Sequence, residues 1–116
     1  MKNRIKNITA IGPASSANLG SGFDCFAIAL DNIFDTVKIS LNSKSDVIIK
    51  NISQTKNIPT QPNENTGGLV ALNIIKEFNL PNVTLGIKKG VPPGKGLGSS
   101  AATASAVAVG LNKMFS

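Results

Sequence analysis

The chain has 116 residues, a length that fits one small domain. Its residues are 41% hydrophobic and 16% charged, a composition that indicates a globular protein and excludes a disordered one. It has no run of 18 apolar residues, and residues 1–4 lack the apolar segment of a signal peptide, so we expect no membrane association. A single cysteine, Cys25, cannot form an internal disulfide, and we therefore expect a cytoplasmic protein.

The net charge is +6, from 12 Lys and Arg against 6 Asp and Glu. A basic protein can bind nucleic acids or anionic small molecules. However, only Lys2, Arg4 and Lys6 cluster, Lys88 and Lys89 are adjacent, and the remaining cations are scattered. The absence of Trp and Tyr disfavours a stacking platform for single strands. We interpret the charge as a solvated basic surface and expect no nucleic-acid partner.

The first half of the chain is predicted to be mainly extended, because apolar and polar residues alternate in several short runs. We predict that the first strand ends at Gly12–Pro13 and that small and polar residues form a loop after it. The predicted segments are a strand at 5–11, the loop at 14–22, a buried strand or extended segment at 23–30, and strands at 36–41 and 47–52.

The second half is predicted to contain two helices and a strand. After a polar loop at 53–65, Asn65 or Thr66 can cap a helix that runs from about residue 68 to 78. A strand is predicted at 83–89, and a second helix follows a glycine-rich segment. This order indicates an α+β fold rather than the regular alternation of a doubly wound sheet.

Residues 13–30 carry one carboxylate, Asp24, inside the apolar run 23–26. An unpaired buried charge is costly, so Asp24 needs a partner, and a bound ammonium group would serve. The alternative is structural: Ser15 and Ser16 as turn formers, Asn18 in an Asx-turn and Asp24 as a cap.

Residues 91–111 contain alternating glycines, two adjacent serines and a helix of small residues. Glycines let a backbone approach a ligand closely, and inward N–H groups that lead into a helix N-terminus form an anion site. Ser99 or Ser100 can cap the helix and still offer an oxygen to a phosphate or a metal, and Lys95 adds a cation. The alternative is a glycine-rich connector before a buried helix.

Two general phosphate-binding motifs, the P-loop and the dinucleotide fingerprint, do not describe this segment well. The P-loop pattern fails, because Gly90 is followed five positions later by Lys95. The dinucleotide fingerprint matches Gly96, Gly98 and Ala101, but two prolines separate these glycines from the strand. A dinucleotide-binding oxidoreductase remains an alternative, as does a nucleic-acid-binding module.

The helix at 101–111 has no charged residue, so we expect it to be buried on most sides. The predicted strands and one other helix cover only part of it. We therefore expect a truncated domain that is marginally stable or self-associated, for example as a homodimer.

The glycine-rich segment resembles the ATP motif of the GHMP kinases, a superfamily that includes galactokinase, homoserine kinase and mevalonate kinase. The resemblance implies that residues 1–116 form the N-terminal part of the GHMP kinase fold, which is like domain 2 of ribosomal protein S5. It also implies that the fold is incomplete in these residues, because the C-terminal domain is absent. It further implies that Ser100 is a ligand of Mg²⁺, with a Glu from further along completing that site. The residues implied to bind ATP are Pro92, Pro93, Gly94, Lys95, Gly96, Leu97, Gly98, Ser99, Ser100, Ala101 and Ala102.

Residues 13–24 resemble the first motif of the homoserine kinase family, P-A-[ST]-[ST]-A-N-x-G-x-G-F-D. One departure follows at Ala27, where relatives often have Gly. The resemblance implies that Asn18 and Asp24 hold the substrate L-homoserine, with Asp24 paired to its α-ammonium group. The implied reaction transfers the ATP γ-phosphoryl group to the homoserine hydroxyl, on the route to threonine, mainly by positioning and charge stabilisation. The first alternative is another small-molecule kinase of the GHMP superfamily. No catalytic residue is assigned, and residues 1–116 alone are expected to be inactive.

Overall fold

The computed structural model describes residues 6–17, 27–53, 59–91 and 98–115. These residues form a mixed α+β structure, which confirms the predicted fold class. The elements in chain order are β1 (Asn7–Ala17), β2 (Ala27–Leu41), β3 (Ile48–Ser53), α1 (Thr66–Phe78), β4 (Val83–Lys88) and α2 (Ser99–Phe115).

The four strands form one sheet in the order β1-β2-β4-β3. The β1–β2 and β2–β4 pairs are antiparallel, whereas β3 and β4 are parallel. Parallel neighbours need a crossover connection, and α1 supplies it between β3 and β4. Helix α2 packs against β1, β2 and α1.

The core follows from the alternation in the two central strands. Val37 and Ile39 of β2 are fully buried, while Lys38 between them is exposed. On β4 the apolar residues at odd positions are likewise buried, and they meet one face of α2. The buried hydrophobic residues of these three elements are Val37, Ile39, Val83, Leu85, Ile87, Ala102, Ala106, Val107, Leu111 and Met114.

The first two strands are longer than the sequence pattern predicts. β1 continues through Gly12 and Pro13 to Ala17, so the predicted strand end and the loop at residues 14–17 were wrong. Pro13 is tolerated because the pairing register shifts between Pro13 and Ala14 on an edge strand, where a missing N–H leaves no central ladder bond unmade. Glycine at position 12 has a packing reason, since a Cβ there would overlap the carbonyl of Ala102 in α2.

Helix α1 begins at Thr66, two residues before its predicted start, and one of the two predicted caps is the N-cap. Asn65 is its N-cap: the side-chain oxygen accepts a hydrogen bond from the Gly68 N–H at 3.1 Å, and the side-chain amide donates to the Pro59 carbonyl at 2.8 Å. The helix ends at Phe78, and its C-cap, Asn79, takes the left-handed conformation with φ 53°.

Helix α2 begins and ends beyond its predicted limits, and within the described chain only one face of it is buried. Val109, on the opposite face, is 61% exposed. The described residues therefore cover only part of this helix, as the sequence analysis expected of residues 1–116. None of their helices is long and apolar enough to cross a membrane.

Candidate functional site

The glycine-rich segment connects the end of β4 to the start of α2. Its residues 92–97 lie outside the described part of the chain, but both flanking residues, Val91 and Gly98, are described. Gly98 has φ 69°, in the left-handed region that favours glycine. Its carbonyl accepts a hydrogen bond from the Ala102 N–H at 2.8 Å, so the chain enters the hydrogen-bonded helix directly after this turn.

A cleft of about 380 Å³ lies at the start of α2, within the size range of small-molecule sites. The first residues of both helices, Thr66 of α1 and Ser99 of α2, line it. Two helix N-termini therefore border one cavity, and each carries unpaired N–H groups and a partial positive charge that favour an anion. The lining residues are Pro59, Glu64, Asn65, Thr66, Ile87, Lys89, Gly98, Ser99, Ser100, Ala101 and Thr103.

The sequence-predicted site residues are distributed unevenly around this cleft. Four of the predicted ATP-binding residues, those at positions 98–101, line it, and Ser100 is exposed there. Ala102 is only 1% exposed and packs with Val91 and Ile33 in a small separate cluster, so its side chain points away from the cleft. Asn18, Asp24 and residues 92–97 lie outside the described residues.

Two of the lining residues, Lys89 and Thr103, belong to a buried charged cluster that the sequence analysis did not predict. We call Asp35, Lys89 and Thr103 the buried triad; they are 0%, 6% and 4% exposed. The Lys89 Nζ donates to Asp35 Oδ2 at 2.6 Å and to Thr103 Oγ1 at 2.8 Å. Thr103 Oγ1 in turn donates to the same Asp35 oxygen at 2.6 Å. The triad joins β2, the residue after β4 and the second turn of α2.

The triad also holds the backbone on both sides of the glycine-rich segment. Asp35 Oδ1 accepts hydrogen bonds from the Gly90 and Val91 N–H groups at 2.8 and 3.0 Å. The third Lys89 proton goes to the Ser99 carbonyl at 3.1 Å, and the Ser99 hydroxyl donates to the Val91 carbonyl, also at 3.1 Å. No buried side-chain polar atom of the described residues lacks a partner. The buried charges are therefore fully paired and hydrogen-bonded, as burial of charges requires.

Burial of Lys89 corrects one part of the sequence analysis. Lys88 is exposed, as expected of a solvated cation, but Lys89 is not. The signal was the alternation itself, because Lys89 continues the buried series of β4 at the odd positions. The antiparallel register pairs Thr36 with Lys88, so Asp35 and Lys89 follow at the next position of the two strands.

The chain is similar in sequence and in structure to known GHMP kinases. The profile described as the GHMP kinases N terminal domain matches residues 65–116. The chain is 42% identical to the homoserine kinase of Thermoplasma volcanium over 93% of this chain and 33% of that protein. It is 46% identical to the homoserine kinase of Methanopyrus kandleri over 89% of this chain and 33% of that protein.

Solved structures agree with the sequence matches. The crystal structure of homoserine kinase from Cytophaga hutchinsonii superposes with a TM-score of 0.91 at 29% identity, over 98% of this chain and 37% of that one. The resemblance to the homoserine kinases, and the GHMP kinase fold, are thereby confirmed. The chain spans about a third of the length of the curated relatives it matches.

Proposed function

We propose that this chain, which is similar to homoserine kinases over almost all of its length, is the part of such an enzyme that holds the nucleotide phosphates. The reaction would transfer the γ-phosphoryl group of ATP to the side-chain hydroxyl of L-homoserine, giving O-phospho-L-homoserine in threonine biosynthesis, in the cytoplasm. The 42% identity across 93% of the chain with the Thermoplasma volcanium homoserine kinase carries this proposal. The comparisons favour neither an oxidoreductase nor a nucleic-acid-binding module.

The cleft supports the ATP assignment. We place the phosphates at the N-terminus of α2, where the left-handed turn at Gly98 leads into the helix. There the N–H groups of the first helical turn and the partial positive charge at the helix end stabilise negative charge. The Gly94, Gly96 and Lys95 positions would extend this anion site before the helix. Residues 92–102 together would form the ATP-binding segment.

The substrate assignment rests on the first motif. Asp24 would pair with the α-ammonium group of homoserine, and Asn18 would hydrogen-bond the same amino acid. Both groups have the required chemistry, since a carboxylate accepts from an ammonium group and an amide side chain both donates and accepts.

A magnesium ion fits this site as a partner of the nucleotide rather than as an ion held by protein alone. Within residues 6–17, 27–53, 59–91 and 98–115, no three Asp, Glu, His or Cys side chains lie together as a metal site. Mg²⁺ is usually bound by one or two protein groups together with substrate phosphates and water. Ser100, exposed at the wall of the cleft, can supply one such oxygen. The bound ion would neutralise phosphate charge.

The chain's own contribution to catalysis would then be orientation and charge stabilisation. The N-terminus of α2 would fix the phosphates and favour the charge that develops on them, while Asp24 and Asn18 would fix the acceptor. Phosphoryl transfer needs little covalent chemistry from the protein, so positioning and electrostatics supply most of the acceleration.

Turnover of the complete gene product tests the proposal. With ATP and Mg²⁺ present, we expect L-homoserine to be phosphorylated with a kcat/KM at least about a hundredfold above that for L-serine, L-threonine or mevalonate. A site built for one substrate rejects an analogue that leaves the site's own polar groups unpaired, and a difference of one methylene can change kcat/KM by about 10–200-fold. ADP release and O-phospho-L-homoserine formation would be measured together. Preference for another acceptor, or no turnover of homoserine, would overturn the assignment.

A further inference from the structure

We propose that the buried triad of Asp35, Lys89 and Thr103 is a positioning device, which fixes the two ends of the glycine-rich segment relative to each other and thereby the phosphate site. Its effect on catalysis rests on the proposed kinase function, whereas its effect on the backbone does not. Lys89 and Thr103 line the cleft, but their polar atoms are bonded to each other, to Asp35 and to the Ser99 carbonyl. The triad would therefore act through the backbone at positions 90–91 and 98–99 rather than by touching the substrate.

The hydrogen bonds of the triad divide according to the two ends of the segment. Asp35 Oδ1 holds the end before it, through the Gly90 and Val91 N–H groups at 2.8 and 3.0 Å. Asp35 Oδ2 holds the end after it, through the Thr103 hydroxyl at 2.6 Å. One carboxylate thus fixes both ends, and the rigid sheet strand that carries it serves as the reference.

Lys89 closes this arrangement rather than serving as a phosphate ligand. All three protons of its ammonium group are used, by Asp35, Thr103 and the Ser99 carbonyl. A cation beneath a helix N-terminus is unfavourable by itself, because that end carries partial positive charge. The Asp35 carboxylate at 2.6 Å compensates for it, so the pair adds no net charge to the site. The positive character of the cleft floor is left to the helix N–H groups.

A role in geometry explains the triad better than a role in stability. Replacing a buried ion pair with apolar residues of similar size is often neutral or stabilising, because desolvation opposes the attraction between the charges. What apolar residues cannot do is fix the directions of two backbone N–H groups and one helix at once. An error of about 1 Å in positioning can lower an enzymatic rate about a hundredfold. The triad's directional bonds are suited to preventing such an error.

The test replaces Thr103 with Val, which keeps the shape of the side chain but removes the hydroxyl that bonds both Asp35 and Lys89. In the complete gene product we expect the KM for ATP to rise or kcat to fall by at least about tenfold, while the KM for homoserine stays within about twofold. The variant Thr103→Ser keeps the hydroxyl and is expected to restore most of the activity. The control is Thr84→Val, because Thr84 lies at the opposite end of β4. This variant also removes a hydroxyl, one that accepts a hydrogen bond from the Asn42 side-chain amide at 3.1 Å.

A second readout separates this inference from the proposed function. Amide hydrogen exchange of residues 89–99 is expected to accelerate at least about tenfold in Thr103→Val, and not in Thr103→Ser or Thr84→Val, because local opening exposes N–H groups. If the parent protein does not phosphorylate homoserine but exchange accelerates as described, the kinase assignment fails and the positioning role stands. Exchange and ATP kinetics that are unchanged in a folded Thr103→Val protein would overturn the positioning role. Equal losses in the Val and Ser variants would also overturn it.

Discussion

Replacing either Asp35 or Lys89 alone is expected to destabilise the protein by about 3–5 kcal/mol, whereas replacing both together is expected to be much less harmful. Asp35→Asn leaves the buried ammonium group of Lys89 without its counter-charge, and Lys89→Met leaves the buried carboxylate of Asp35 without its own. The double variant Asp35→Asn, Lys89→Met contains no buried charge at this point. In it, the Asn oxygen can still accept from the Gly90 and Val91 N–H groups.

Urea unfolding of the parent, both single variants and the double variant measures this coupling as a double-mutant cycle. We expect the loss in the double variant to be smaller than the sum of the single losses by at least about 2 kcal/mol. The control is Lys88→Met, since Lys88 is adjacent in sequence but exposed, and it should change stability by less than about 0.5 kcal/mol. Additive losses in the cycle would contradict the assignment of Asp35 and Lys89 as a coupled buried pair.

Asp24→Asn is expected to lower kcat/KM for L-homoserine by at least about thirtyfold while ATP binding changes little. Loss of one partner from a desolvated charge pair costs about 2–5 kcal/mol, and about 1.4 kcal/mol corresponds to a factor of ten. The substitution is nearly isosteric, so packing should be preserved while the charge is lost. The prediction rests on the sequence motif, since Asp24 lies outside the described residues.

Steady-state kinetics with homoserine, together with calorimetric ATP binding, would check the Asp24 prediction in the complete gene product. Asp46→Asn is a matched control, because Asp46 is an exposed carboxylate in the turn before β3. Unchanged homoserine kinetics in the Asp24 variant would make Asp24 a structural residue. A parallel loss of ATP affinity would show that the substitution disturbs the nucleotide site as well.

The elements that sequence reasoning placed best are those with strong local signals. Alternation identified β4, and the capping residues at 65–66 located the start of α1 to within two residues, because both patterns follow from local hydrogen bonding and burial. The extension of β1 beyond Pro13 was missed, since a register shift that accommodates a proline depends on the partner strand. Position 12 requires glycine because α2 packs directly on it, and this tertiary contact is not visible in the local sequence.

The phosphate-binding role proposed for residues 92–102 could be inferred from the sequence because these residues are contiguous. The buried triad could not be inferred in this way, because its members are separated by 54 and 14 residues in sequence. A lysine is exposed far more often than buried, so Lys89 was interpreted as part of a solvated surface. The alternation of buried and exposed residues would have predicted this burial. Asp35 lies at an inward position of β2, and Lys89, directly after β4, continues the buried positions of that strand.

The central claim is that the ATP phosphates lie at the N-terminus of α2, against the glycine-rich segment. The most direct measurement is a crystal structure of the complete gene product with a non-hydrolysable ATP analogue, Mg²⁺ and L-homoserine. The account predicts phosphate oxygens within hydrogen-bond distance of N–H groups in residues 94–100, and the homoserine ammonium group against the Asp24 carboxylate. Phosphates bound elsewhere, with the cleft at the start of α2 free of nucleotide, would contradict it.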